Sequence, residues 1–162
     1  GTMANLVAHK RLALLFVQLG GVAQLLTLLD AYTNRRDTLV ESTSLCLYGF
    51  AAQPTVFAAV AELPYFRRVI AAAIGFLSAQ HEPARRFAAN FFSFAFAYRV
   101  VLSAFEAQRG PPALLRAAVP LPDEDTEGNA DDRNAHHLVK AVLQYLRGHV
   151  AQFIVDAGAR HA

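Results

Sequence analysis

Six histidines are the residues most able to do chemistry in this chain, because imidazole binds metals and moves protons near neutral pH. His136 and His137 are adjacent, and His149 follows on the same apolar-periodic stretch. No two histidines stand i,i+3 or i,i+4 apart, and neighbouring residues project about 100° apart on a helix, so the spacing builds no shared ligand sphere. They read as surface or helix-terminal groups, and no metal or other cofactor is expected. The single Cys46 lies on an apolar stripe with no base near it in sequence, the setting of a buried, inert thiol. One cysteine supports no disulfide framework, which fits a reducing compartment. Asp123, Asp125, Glu127 and Gly128 match the first half of a calcium-binding loop, but its twelfth position is Asn134 where a bidentate Glu is needed. Pro120 and Pro122 also preclude a normal entering helix. No G-x-S-x-G elbow and no phosphate-cradling glycine pattern occurs, so the chain reads as non-enzymatic.

Arginine offers more. Arg35/Arg36, Arg67/Arg68, Arg85/Arg86, Arg99, Arg109 and Arg116 all precede a strongly acidic stretch. Arg68, Arg99 and Arg116 are the candidate partner-binding residues. Arg68 and Arg116 are expected on equivalent helices of successive repeats, lining one side that suits an acidic peptide or an acidic groove of another protein. The plain alternative is a solvated surface that keeps an apolar chain in solution. A nucleic-acid-binding helical repeat is a rival, weakened by a net charge of only +2. A binder of hydrophobic ligands using the Phe-rich centre is another.

The elements that must position these groups are helical. Hydrophobic residues make up 54% and charged residues 17%, so either an Ala/Leu/Phe core is packed from helices or a partner covers apolar surface. No segment sustains period-two alternation, and no Asn-Gly or Asp-Gly hairpin turn occurs. Thr38-Leu-Val-Glu41 has the form of a capping box, opening a helix to about Ala52. Pro54, Pro64, Pro83 and Pro111 each suit a first helical turn. The stretch from Ser42 to Ala61 is long enough to span a bilayer, but Gln53 and Pro54 interrupt it and its apolar spacing is a stripe, so no membrane span is expected. The longest predicted helix runs from Pro83 to about Gln108, with Phe91, Phe94 and Phe105 among the most buried residues. Phe92 and Phe96 fall off that stripe, which places this helix between two neighbours. An acidic loop is predicted at 120–134, followed by a helix from Leu138 onward that Gly148 bends or divides.

The chain also repeats itself. "FVQLGGVAQLL" from Phe16 returns as "FEAQRGPPALL" from Phe105, and "GVAQLL" at Gly21 returns as "HVAQFI" at His149. The offsets fit two and three units of about 43 to 44 residues, inside the armadillo/HEAT range. The expected fold is an all-α armadillo/HEAT-like solenoid of about three repeats plus a partial fourth, with corners near Gly21, Pro64, Gly110 and His149. Residues 1–3 read as a tag remnant, and 4–162 as one domain.

"NLVAHKRLALLFVQLGGVAQLL" (Asn5 to Leu26), "SLCLYGFA" (Ser44 to Ala51) and "FFSFAFAYRVVLSAFEAQRGPPALLRAAV" (Phe91 to Val119) together resemble the armadillo-like region of the Vpr-binding protein family, large substrate receptors of cullin-4 ubiquitin ligases. The resemblance implies a helical scaffold module, intracellular in the nucleus and/or cytoplasm. Its implied partners are ubiquitin-ligase components or substrates and the rest of the same receptor. Later parts of such receptors, a dimerisation motif and a β-propeller, have no counterpart here. Trp is absent, so no propeller blade is written in this chain.

Overall fold

A computed structural model describes residues 9–31, 37–119 and 131–160, excluding the side chains of 131–133. The described residues form helices and turns with no strand. In chain order these are α1 (Lys10–Gln18), α2 (Gly21–Ala31), α3 (Asp37–Ala51), α4 (Pro54–Ala61), α5 (Phe66–Leu77), α6 (Glu82–Ala95), α7 (Arg99–Ala107), α8 (Gly110–Ala118) and α9 (Asp131–Arg160). The tag-remnant reading of 1–3, the Arg35/Arg36 pair and most of the acidic loop lie outside the described residues.

Proline punctuation holds at three of four places. Pro54, Pro83 and Pro111 sit in the first turns of α4, α6 and α8, where a missing N–H costs no hydrogen bond. Pro64 instead lies in the turn before α5, which opens at Phe66. Thr38 is not a cap, because α3 already includes Asp37. The stretch weighed as a membrane span is broken after Ala51, and α3 and α4 meet at a bend of 109°. No single helix among the described residues is long and apolar enough to cross a membrane.

The centre of the molecule is α6, packed against α3, α5 and α9. It was expected to continue to Gln108, but it ends at Ala95, and the chain turns at Phe96–Tyr98 before α7 begins. Tyr98 takes extended backbone there, with its ring 4.7 Å from that of Phe57. The break changes which face is inside. Ala84, Ala88, Phe91, Phe92 and Ala95 recur at helical spacing and are buried, and Phe96 follows them into the core. Phe94, expected in the core, is 40% exposed. Its ring lies between Tyr48 on α3 and the ammonium of Lys140 on α9. Phe91 and Phe105 are buried as expected, and the rings of Phe92, Phe96, Phe105 and Tyr145 form one aromatic cluster.

The first echo corresponds to a repeated piece of geometry. Gly20 and Arg109, five residues before Leu25 and Leu114 respectively, both take left-handed backbone, with φ of 79° and 58°. Gly21 and Gly110 follow as the first residues of α2 and α8, and the rings of Phe16 and Phe105 lie directly over them. A left-handed residue stops the preceding helix, and the absent glycine side chain lets the Phe five positions back fold over the corner. Leu25 and Leu114 are both buried, whereas Leu26 is buried and Leu115 exposed.

The other two expected corners differ. The turn before α5 has neither a left-handed residue nor a glycine. His149 marks no corner at all, because α9 runs unbroken from Asp131 to Arg160. The loop expected at 120–134 therefore ends earlier than its composition suggests. Asn134, Leu138 and Ala141 are buried, so the opening turns of α9 already lie on the body. Gly148 does not divide the helix. A Cβ at this position would stand 2.6 Å from the carbonyl oxygen of Phe96, so the glycine is what lets α9 cross the α6–α7 corner. Gly148→Ala is expected to lower stability by about 2 kcal/mol, because the obstructing atom is backbone and cannot swing aside. A melting temperature within a degree of the parent's would contradict that crossing.

Candidate interaction surface

The structure sends Arg68, Arg99 and Arg116 to different elements. Arg68 stands on α5 and pairs across to Asp30 on α2. Between those helices is a cleft of about 250 Å³, floored by Leu26, Leu29, Ala71, Ala72 and Phe76, with Arg68 and Asp30 at its edge. Gly75 also lines it, and no atom lies within 4 Å of where its Cβ would be, so the missing side chain leaves the cleft wider. Both charged side chains are more than half exposed, at 56% and 70%. A pair so exposed is worth about 0 to 1 kcal/mol, so an incoming carboxylate could displace Asp30 from Arg68 at little cost.

Arg99 stands in the first turn of α7, its guanidinium 3.6 Å from Asp156 on α9. It edges a second cleft, of about 400 Å³, formed where α9 crosses Phe96, Ala97 and Leu102. Arg147 and Gln152 line the α9 side. Arg116 is exposed in the last turn of α8, where a cation favours the helix dipole, and it lines neither cleft.

Three histidines reach across to other helices. His81 approaches Glu41 of α3 at 3.0 Å, and His137 Nδ1 lies 3.0 Å from the side-chain oxygen of Asn90 on α6. Burial, reinforced by electrostatic repulsion from His136, Arg86 and Lys140, pushes the His137 pKa below its ordinary value. His149 Nε2 is 2.7 Å from Glu106 on α7, a close approach whose geometry is not that of a hydrogen bond. Tyr145 donates its hydroxyl proton to the same carboxylate at 2.9 Å, and burial followed by that carboxylate pushes the phenol up to about 12. Burial likewise pushes the Cys46 thiol up to about 11, so it carries almost no thiolate at neutral pH. Among the described residues no three His, Cys, Asp or Glu side chains come together as a metal site.

Asp30, Glu106, Tyr145 and Gly148 all shape these surfaces; sequence reasoning placed Tyr145 on the apolar stripe of the last helix and gave Gly148 a bend or a division, of which the division does not occur. Asp30 and Glu106 act through partners 38 and 39 residues away, a separation at which no local pattern gives a signal.

The described residues form an all-helical body with two clefts that are open, partly apolar and edged by arginine, a type of surface able to seat side chains of another chain. No family model matches the sequence, and no solved structure matches it. It is similar to the DDB1- and CUL4-associated factor homolog 1 of Arabidopsis thaliana, 29% identical over 165 residues that cover 94% of this chain and 8% of that protein. It is also similar to Protein mahjong of Drosophila melanogaster, 25% identical over 163 residues, 91% of this chain and 10% of that one. The chain spans about a tenth or less of the length of these curated relatives.

Proposed function

We propose that this chain is a non-enzymatic, armadillo/HEAT-like scaffold that supplies protein–protein contact within a cullin-4 ubiquitin-ligase substrate receptor, acting inside the cell. The observation that carries the reading is the similarity along nearly the whole chain to a protein named for its association with DDB1 and CUL4. Two further features support it. The Phe-over-Gly corner with a left-handed residue occurs twice, 89 residues apart, an offset of two units of about 44 residues, although the turn before α5, where the middle unit would have its corner, lacks it. Arg68 and Arg99 each edge an apolar cleft, which suits acidic, apolar segments of ligase components or substrates better than a phosphate backbone.

The test is affinity capture from cell extract with the parent chain and with a chain carrying Arg68→Glu, Arg99→Glu and Arg116→Glu. The parent is expected to enrich cullin-4 ligase components or their ubiquitin-conjugated substrates, and the variant to lose them while melting at the same temperature. An identical captured set from both chains would remove the arginines from the interface, and the absence of any ligase component from the parent's set would count against the scaffold reading.

A further inference from the structure

The outward face of α9 is written as a helix-pairing seam. Val139, Leu143, Leu146, Val150 and Phe153 follow one another at intervals of four, three, four and three residues, the spacing of a and d positions in a coiled coil. All five are substantially exposed, from 49% for Leu143 to 69% for Phe153, and Ile154 beside them is 64% exposed. The opposite face of the same helix, through Leu138, Ala141, Tyr145 and Gly148, is the one held against the body. The seam is therefore apolar surface left over after the helix has packed. Covering it would bury roughly 600 Å² on this chain and about 1,200 Å² in a pair, the lower edge of what a specific interface needs.

Charge decides what covers it. Lys140 and Arg147 each stand one residue after a seam position, where flanking charges choose partners. Lys140 lies over the Phe94 ring rather than in an ion pair, and Arg147 has no ion-pair partner among the described residues. On the other flank, His149 faces Glu106, and Asp156 is held by Arg99 and Gln152. The charge left to meet an incoming chain is positive. A second copy pairing antiparallel about Leu146 would set Arg147 against Arg147, a like-charge contact that opposes self-association. We propose that the seam of α9 docks an amphipathic helix of a protein partner whose apolar stripe is flanked by Glu or Asp.

The test uses a labelled synthetic helix with Leu at its a and d positions and Glu at e and g, alongside a counterpart with Lys at e and g, followed by fluorescence anisotropy. The chain is expected to bind the Glu helix at least about tenfold more tightly than the Lys helix, with the preference shrinking as salt rises. Leu146→Ser with Phe153→Ser, two exposed positions, is expected to weaken binding about tenfold without changing the circular dichroism or the melting temperature. Lys140→Glu with Arg147→Glu is expected to reverse the preference, a readout that holds even if the serine variant folds poorly. Equal binding of both helices, binding of neither, or undiminished binding by a folded serine variant would overturn the proposal. So would a dimer of the parent chain that the serine substitutions dissociate, since that would make a second copy the occupant.

Discussion

Replacing Phe92 with alanine is expected to cost about 3 to 5 kcal/mol, a large part of what holds a domain of this size folded. Phe92 is fully buried, with its ring centroid 5.0 Å from that of Phe91, 5.1 Å from Phe96 and 4.9 Å from Phe105. Truncation leaves a void walled by other aromatic rings, which are too stiff to collapse into it. Phe94→Ala, two residues on in the same helix, is expected to cost about 1 kcal/mol, since it removes a half-exposed ring that touches Tyr48 and Lys140. Urea unfolding of the two variants measures the difference. Equal losses would mean that α6 presents a different face to the core.

Gly110→Ala is expected to cost about 3 kcal/mol and Gly21→Ala only about 1, although the two glycines occupy the same place in the echoed motif. An added Cβ would overlap the Phe105 ring at Gly110 and the Phe16 ring at Gly21. The outcome depends on whether each ring can move. Phe105 is fully buried against Phe92, Phe96 and Tyr145, while Phe16 is only partly buried and, among the described residues, stacks on Phe50. The residue before each glycine supplies a control. Arg109 carries a left-handed φ that costs a non-glycine residue about 1 to 2 kcal/mol, so Arg109→Gly should stabilise by about 0.5 to 1 kcal/mol after the added freedom of the unfolded chain is subtracted. Thermal melts of the three variants are the check; a destabilised Arg109→Gly would show that its side chain holds the corner.

The all-helical class was legible because proline marks starts of helices through covalent geometry, and covalent geometry is local. The Phe-to-Gly corner was legible for the same reason: a left-handed turn and a ring over a glycine are short-range events that leave a short-range signature. The end of α6 was not. "SFAFAYRV" contains neither glycine nor proline, and the chain turns where Tyr98 meets Phe57, forty-one residues upstream. Reading through that turn put Phe94 on the buried stripe. The true inner face runs through Ala84, Ala88 and Ala95, and alanine is too small to advertise a face by hydrophobicity while being well suited to close helix packing. The echo at His149 shared letters without sharing geometry, since nothing between Arg147 and Val150 stops a helix. Residue type pointed to Arg68, Arg99 and Arg116 alike, but only the first two edge clefts, and Asp30 and part of the apolar floors that make those clefts come from other helices.

A helix anchored as unevenly as α9 has no single stability. It spans about 45 Å, yet its buried side chains, Asn134, Leu138 and Ala141, all lie in its first half, and most residues from Val150 to Arg160 are exposed. Amides near Ala141 can exchange with solvent only when α9 leaves α6, an event close to global unfolding. Those in the last turns open by end-fraying at small free energy. One rod therefore joins slowly and rapidly exchanging hydrogens. Because the exposed seam reaches into the fast-exchanging end, its occupation would register there first, as amides that had opened freely become slow.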